Sequence, residues 1–433
     1  MLDIKFIREN RELVENSSRN KGYQISFDEL FSMDDKRRNL QAEVDELRAK
    51  RNTLSNSMQG GRPDQTVIDE VKKLKEQLSS LEEELDQAET QYFKLLKSVP
   101  NVALETVPVG SSEEENVVEK TVGEPKQKNF TIKNHADIAT ARGWLDKERA
   151  AKVAGSRFAY IKGDMVKLQM ALMQFVFDTV SDEATIKSIA EKAGLSDINS
   201  RPFTPVLPPY FIKTELYDAM DRLEPREERY KIEEEDAWLQ GSAEHVLGSM
   251  HADEIIDENN LPIRYIGYAT SFRREAGTYG KDMEGIIRMH QFDKLEFQSF
   301  TTPENGYKEH QLLISLQEHL LSSLELPYRV MKKCTFDIGK PNASGVDMDA
   351  WLPGQNQYRE THTADYMTDY QARRLKTRVR KNSGELEFVH INDATAMALG
   401  RMMIAVIENY QNEDMTVTVP SVLKPYLQNR EVL

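Results

Sequence analysis

Residues 272–296, FRREAGTYGKDMEGIIRMHQFDKLE, interleave arginines, an aromatic ring and carboxylates along two strand-like runs joined by a polar, Gly-containing turn. Each residue type suits a different part of a nucleotide or an amino acid. Arg273 and Arg288 can neutralise phosphate oxygens, Phe292 offers a flat face for a purine, and Glu275 and Glu296 can accept hydrogen bonds from exocyclic or α-amino groups. Together they predict a site that holds a nucleotide and an amino acid side by side.

Upstream of this stretch lie the Pro-rich strand entry Thr204-Pro-Val-Leu-Pro-Pro-Tyr and the loop Gly241-Ser-Ala-Glu. Downstream lie Trp351-Leu-Pro-Gly-Gln-Asn-Gln-Tyr-Arg-Glu, then Tyr370-Gln-Ala-Arg-Arg-Leu, then the run Asp393 to Gln411. The apolar spacing of that last run predicts a helix with Arg401 in its N-terminal half, where the backbone dipole favours an anion. In this order the segments resemble the three motifs of class II aminoacyl-tRNA synthetases: motif 1 near 204–212, motif 2 at 272–296 and motif 3 at 393–411. The fuller forms Phe272-Arg-Arg-Glu-Ala-Gly and His290-Gln-Phe-Asp-Lys are similar to seryl-tRNA synthetases in particular.

The resemblance implies ATP-dependent activation of L-serine to seryl-adenylate, then transfer to the 3′-terminal adenosine of tRNA(Ser), with tRNA(Sec) left open as a second acceptor. It assigns catalysis to Arg273, Glu360 and Arg401. ATP would be held by Arg273, Arg274, Glu275, Arg288, Phe292, Glu360, Thr361, His362, Thr363 and Arg401, with Mg²⁺ on Glu360 and Thr363. Serine would be held by Ser242, Ala243, Glu244, Arg273, Glu296 and Thr395, and motif 1 would form a homodimer interface. The chain departs from the pattern at Pro205, where an acidic residue is usual, and at His362, where Ser is usual. Asp393-Ala-Thr-Ala replaces Asn-Gly-Ser-Gly, and Ser242-Ala-Glu replaces Thr-Ala-Glu; Thr395 and Ser242 keep a hydroxyl.

Leu30, Met33, Leu40, Val44, Leu47, Leu54 and Met58 recur at steps of three and four, with Arg37 and Arg51 at the two remaining seam positions. This predicts a heptad helix. After the breaker Gln59-Gly-Gly-Arg-Pro63, a second series runs Val67, Val71, Leu74, Leu78, Leu81, Leu85, Ala88, Tyr92, Leu95 and Val99. An antiparallel two-helix coiled-coil arm over about 28–99 follows, roughly 45 Å long at about 1.5 Å per residue. Arg48, Lys50, Arg51, Arg62, Lys72, Lys73 and Lys75 surround its tip, whereas Asp34, Asp35, Glu43, Asp45, Glu46 and Glu82, Glu83, Glu84, Asp86, Glu89 lie toward its base. Charged helix faces are commonly solvated surface. The resemblance implies instead a contact between Arg48, Lys50, Arg51, Lys72, Lys73, Lys75 and the tRNA backbone.

The expected organisation is an α+β chain: an N-terminal domain at 1–100, a linker at 101–134 lacking periodicity, and a catalytic domain at 135–433 with an antiparallel sheet flanked by helices. Within it an amphipathic helix is predicted from about Met165 to Val180. A shorter helix on Ile186, Ile189 and Ala193, ended by Gly194, fills 182–200, which is longer than the family's usual connection. With 433 residues there is room for two or three domains. The net charge of −15 argues against indiscriminate nucleic-acid binding, so any RNA contact must be local. The single cysteine, Cys334, excludes an intramolecular disulfide and reads as a small buried hydrophobe. No apolar run reaches the roughly 18 residues of a membrane span, and MLDIKFIREN lacks the apolar core of a secretory signal, so a cytoplasmic location is expected.

Three functions are compatible with these features: a seryl-tRNA ligase, a paralogue charging another acceptor or amino acid, and an RNA-binding relative with a dead site. The arm argues against a carrier-charging paralogue, and the intact set Arg273, Glu275, Arg288, Phe292, Glu296, Glu360 and Arg401 argues against the dead relative.

Overall fold

The computed structural model describes residues 1–57, 64–275 and 285–433. Met58, the breaker 59–63 with Arg62, and positions 276–284 of the quoted stretch lie outside the described residues. The chain divides into two units, Met1–Val102 and Ala103–Leu433.

In the first unit, helices α1 (Phe27–Ser57) and α2 (Gln65–Ser98) pack along their lengths. Leu40, Val44, Leu78, Leu85 and Ala88 form the buried seam that the heptad spacing requires. The ion pairs Lys50–Glu70 and Arg48–Glu82 fix an antiparallel register, since one partner's number falls as the other's rises. Asp64 caps α2 by accepting from the backbone N–H of Thr66 at 3.3 Å. Arg37 is tolerated at the seam because its guanidinium lies 4.1 Å over the Tyr92 ring and donates to Asp34 at 2.6 Å. Asp34, grouped above with the charges at the arm's base, is buried between Arg8 and Arg37. Leu96 is buried at the end of the second series, and Leu95 only partly so.

The second unit is built on an eight-stranded sheet. Its strands are β1 (Val117–Val122), β2 (Thr204–Val206), β3 (Ile263–Phe272), β4 (Gln291–Thr301), β5 (Tyr328–Lys332), β6 (Ser344–Leu352), β7 (Gln357–Thr368) and β8 (His390–Ala398). They lie in the order β1-β5-β6-β7-β8-β4-β3-β2, antiparallel except for β2 with β3. The expected antiparallel sheet is therefore present. Strand β1, however, comes from the segment expected to be a linker. It is an edge strand exposed on both faces, so no one-sided burial imposed a readable alternation on it.

Central strands alternate, as in Val346-Asp347-Met348-Asp349-Ala350. Val346, Met348 and Ala350 enter the main core with residues of α3 (Asp164–Val180), α6 (Gly306–Ser323) and α7 (Leu399–Tyr410). Helix α4 (Glu183–Lys192) occupies the long 182–200 connection and buries Ile186, Ile189 and Ala190 in the same core; Ala193 is exposed, and Gly194 follows at φ +75°. On the other face lies α5 (Ala243–Gly248), which approaches so closely that a Cβ on Gly267 would meet Leu247 Cδ1 at 2.5 Å. Motif 3 is only partly the helix that its spacing predicted. Asp393–Ala398 belong to β8, paired with β7 and β4 on either side, and the helix starts at Leu399. Among the described residues no helix is long and apolar enough to cross a membrane.

Arg264 on β3 and Glu309 on α6 form a fully buried pair, Nε to Oε1 at 2.6 Å and Nη2 to Oε2 at 2.7 Å. Ser299 donates to Glu309, and Arg264 donates to the carbonyl of Arg201. Truncating one partner leaves the other charge buried and unpaired. Glu309→Ala is therefore expected to cost about 3–5 kcal/mol of unfolding free energy by chemical denaturation. A loss within experimental error would show that water or a new partner compensates Arg264.

Candidate active site

The polar face of the sheet carries a cavity of about 350 Å³. Residues paired across antiparallel strands share a face. The registers Thr395 opposite Glu296, Asp365 opposite Asp393, and Asp347 opposite Thr363 thus bring the polar side chains of four strands together. Motif 2 enters where β3 ends and β4 begins: β3 stops at Phe272 and β4 starts at Gln291, with Arg273, Arg274 and Glu275 just beyond the first strand.

Arg273 donates through Nε to the Gly241 carbonyl at 3.0 Å, and its guanidinium lies 5.3 Å from the centre of the Phe292 ring. Arg288 donates to Glu275 at 2.6 Å. Arg401, on the first turn of α7, donates to the Glu360 carbonyl at 2.6 Å and faces its carboxylate at 3.4 Å. Ala398, Gly400 and Arg401 all line the cavity, so the start of a 12-residue helix with no side-chain cap faces it, an arrangement suited to an anion. At the other end, Ser242 Oγ and Thr395 Oγ1 each donate to Glu296 Oε1 at 3.2 Å, and Lys294 Nζ contacts the same carboxylate. Glu244 faces His245 at 3.3 Å and Arg222 at 3.2 Å.

Of the residues expected at the site, Glu244, Arg273, Glu275, Arg288, Phe292, Glu360, Thr361, Thr363, Thr395 and Arg401 line one cavity. Glu296, Ser242 and Ala243 lie buried behind it. Two expected ATP contacts fall elsewhere. His362 is fully buried off the cavity, next to Thr361 at 2.9 Å, because it pairs with core-facing Met348 while Thr363 pairs with Asp347, and a register shift between His362 and Glu360 returns Glu360 to the cavity side. Arg274 turns to a neighbouring depression with Arg157 and His290, and its guanidinium lies 5.8 Å over Tyr230. His290 braces the loop by bonding to the Arg273 carbonyl.

Arg222, Lys294, Lys333, Asp347 and Asp365 also line the cavity and were not anticipated. Lys294 was legible by period two from Glu296, and Asp365 likewise from Thr363. Arg222, from the turn after the short helix Thr214–Ala219, carried no local signal.

Burial pushes Lys294 down to about 8 and the Asp347 carboxyl up to about 7; for Asp347, nearby Lys333 opposes the shift and Glu360 adds to it. Lys333 is itself raised, because Asp347 and Asp365 outweigh its burial. Since Asp347 binds its proton more tightly folded than unfolded, its stabilising contribution is fully present below about pH 4 and is lost as pH rises to 7. Asp347→Asn should abolish that loss. The variant's unfolding free energy, relative to the parent, should rise between pH 4 and 8 by up to about 4 kcal/mol, at about 1.4 kcal/mol per pKa unit. A difference that stays flat with pH would remove Asp347 as the titrating group.

Residues 229–410 match the family described as tRNA synthetase class II core domain (G, H, P, S and T), and residues 1–103 match the Seryl-tRNA synthetase N-terminal domain. A serine–tRNA ligase of Nitrosopumilus maritimus is 36% identical over 437 residues, covering 100% of each chain. The chain belongs to the seryl-tRNA synthetase family. A second relative, the serine–tRNA ligase of Dictyoglomus turgidum, is 38% identical over 100% of this chain and 99% of that one. The seryl-tRNA synthetase of Pyrococcus horikoshii, solved with ATP, matches the fold with a TM-score of 0.85 at 35% identity, covering 100% of this chain and 99% of that one. The cytoplasmic serine–tRNA ligase of Naegleria fowleri, solved with AMP, gives 0.82 at 29% identity, covering 100% and 98%. The seryl-tRNA synthetase resemblance carried by the quoted stretch therefore extends over the whole chain.

Proposed function

We propose that this chain activates L-serine with ATP and transfers it to the 3′-terminal adenosine of tRNA(Ser). The observation that carries the proposal is the polarity of one cavity: Arg273, Arg288, Arg401 and a helix start line it, and so does Thr395, which shares with Ser242 the Glu296 carboxylate buried behind the wall. In adenylate formation a serine carboxylate oxygen attacks the α-phosphorus while the bond to the pyrophosphate oxygen breaks. The protein need supply no nucleophile, only positioning and neutralisation of developing charge. Arg273, held by Gly241 and stacked on Phe292, faces the α-phosphate and the serine carboxylate. Arg288 and Arg401 take the outer phosphates. Glu244 accepts from the α-ammonium group, and Thr395 with Glu296 pairs the hydroxyl, so an amino acid lacking it would leave buried groups unpaired.

Mg²⁺ fits the donor set, because Asp347 and Glu360 present two carboxylates to the same cavity and Asp347 Oδ1 is buried with no hydrogen-bond partner among the described residues. When bound, the ion supplies charge neutralisation on the phosphates. Glu360 and Asp347 would hold it; Thr363 Oγ1, assigned to the metal from sequence, instead accepts from Lys333 at 3.0 Å. A homodimer through motif 1 is supported by the exposed Leu207, Tyr210 and Phe211 just beyond the edge strand β2. The arm in 1–100 is assigned to the tRNA, and the cytoplasm to the enzyme, where a lone buried thiol such as Cys334 stays reduced.

The test is amino-acid-dependent exchange of pyrophosphate into ATP across the twenty standard amino acids, followed by charging of tRNA(Ser). Serine alone should support exchange. Preference for another amino acid, or exchange without transfer to tRNA(Ser), would overturn the assignment.

A further inference from the structure

We propose that Arg222 is a specificity-determining residue: its guanidinium fills the cation position among Glu244, Asp365 and Asp393 at the amino-acid end of the cavity and so excludes amino acids whose side chains carry an ammonium group. The inference rests on the assignment of that end of the cavity to the amino acid.

Arg222 lines the cavity with its side chain only 17% exposed. Its Nε lies 3.2 Å from Glu244 Oε1, and its Nη2 lies 3.7 Å from Asp393 Oδ2 and 3.9 Å from Asp365 Oδ2. Asp365 and Asp393 face each other in register across β7 and β8, on the face that carries Thr395 and Glu296. The pair is unusual for a site that must recognise a neutral hydroxyl, and Asp393 stands where the family's motif 3 has Asn.

Two acceptors here remain open. Asp393 Oδ2 and Glu296 Oε2 are buried and accept no hydrogen bond within the protein; the Arg222 contact with Asp393 is longer than one. An ammonium carries three donors, whereas the serine hydroxyl carries one. By donor count alone, this end of the cavity would favour a short diamino acid over serine. Arg222 reverses that preference. Burial disfavours its charge, but Glu244, Asp393 and Asp365 outweigh burial and keep it protonated. With Lys294 and Lys333 also on the cavity wall, an incoming side-chain ammonium meets three resident cations. Like-charge juxtaposition in a desolvated site rejects a ligand more strongly than a missing contact does. Glu244 retains its pairing with Arg222 while it accepts from the α-ammonium group.

The test uses pyrophosphate exchange with L-serine, and L-2,3-diaminopropionate and L-2,4-diaminobutyrate as competing inhibitors and as substrates. The readout is the ratio of each diamino acid's inhibition constant to the KM for serine. Arg222→Met keeps the stem and removes the charge; it should lower that ratio at least about tenfold. Arg222→Lys should restore most of the discrimination. Asp393→Asn, with Arg222 in place, should move the ratio the opposite way, and it tests the idea even if the Met variant does not fold. Unchanged ratios in both the Met and Asn variants, or serine and diamino acids weakening in parallel, would overturn the proposal. So would a parent enzyme that activates a diamino acid as well as serine. If the parent shows no serine-dependent exchange at all, the functional assignment itself fails and takes the inference with it, a result seen before any variant is made.

Discussion

Arg273→Ala is expected to lower serine-dependent pyrophosphate exchange by at least about a hundredfold, the scale found when one oriented charge-stabilising donor is removed. The α-phosphate gains charge as the carboxylate attacks, and Arg273 is a cavity-lining cation whose side chain and backbone are each held by a hydrogen bond. Its Nε is held by Gly241, and its backbone N–H donates to the His290 carbonyl at 3.0 Å. Because Gly241 precedes Ser242 and Glu244, the same hydrogen bond ties the phosphate end to the amino-acid loop. The deficit should appear mainly in kcat, since the interaction strengthens in the transition state. Secondary structure and thermal unfolding should be close to those of the parent, because the guanidinium is on the cavity wall rather than in the core. Near-normal exchange would remove Arg273 from the chemistry, and a loss confined to KM would restrict it to ground-state binding.

The parts of this molecule that could be read in the sequence are those whose cause is local. The arm is legible because heptad burial leaves Leu and Val at fixed spacing, and its irregularities have particular origins. Arg37 keeps a seam position by stacking on Tyr92 and pairing with Asp34, a contact that depends on residues from two helices. The helix expected over 393–411 from apolar spacing starts only at Leu399, because the apolar residues continue without a break into the buried strand before it, and alanines such as Ala394 and Ala396 carry no strand preference of their own. Position in the middle of a sheet makes them strand, since β7 and β4 supply hydrogen bonds on both sides. His362 shows the same limit from the other direction. Its sequence neighbours Glu360 and Thr363 suggest a phosphate contact, but His362 pairs with Met348 on the core face, and a register irregularity that no local pattern shows puts Glu360 on the opposite side. Once the strands are in register, Asp347 and Asp365 follow from period two. Arg222 and Lys333 do not, because Arg222 is placed by carboxylates from three separate segments, Glu244, Asp365 and Asp393, and Lys333 by two different strands.

Replacing Arg48, Lys50, Arg51, Lys72, Lys73 and Lys75 together by Gln is expected to cut tRNA charging sharply while sparing tRNA-independent adenylate formation. The cavity is built entirely from residues of the unit Ala103–Leu433, and the six cations all lie in the unit Met1–Val102. They occupy the tip-proximal parts of α1 and α2, where five are exposed and Arg51 is half-buried. Arg48 pairs across the hairpin with Glu82 at 2.8 Å and Lys50 with Glu70 at 3.4 Å, while Arg51 donates to Asn52 at 3.2 Å. Both pairs are solvent-exposed, and such pairs are worth only about 0–1 kcal/mol, so a phosphate can displace the carboxylate at little cost. Loss of these two pairs should therefore leave the hairpin folded on its apolar seam. RNA binding should lose its salt dependence in proportion: each phosphate contact contributes about 0.7–0.9 to the slope of log K against log salt, so removing six should reduce the slope by up to about four to five. Charging at low tRNA concentration should fall by about a hundredfold or more at physiological salt, and the deficit should shrink as salt is lowered and the remaining cations act over a longer Debye length. Pyrophosphate exchange should stay within about twofold of the parent, because every residue that lines the cavity belongs to Ala103–Leu433 and none of the six is among them. An unchanged slope with unchanged charging would leave these cations as solvated helix surface and move RNA recognition to other residues of the arm.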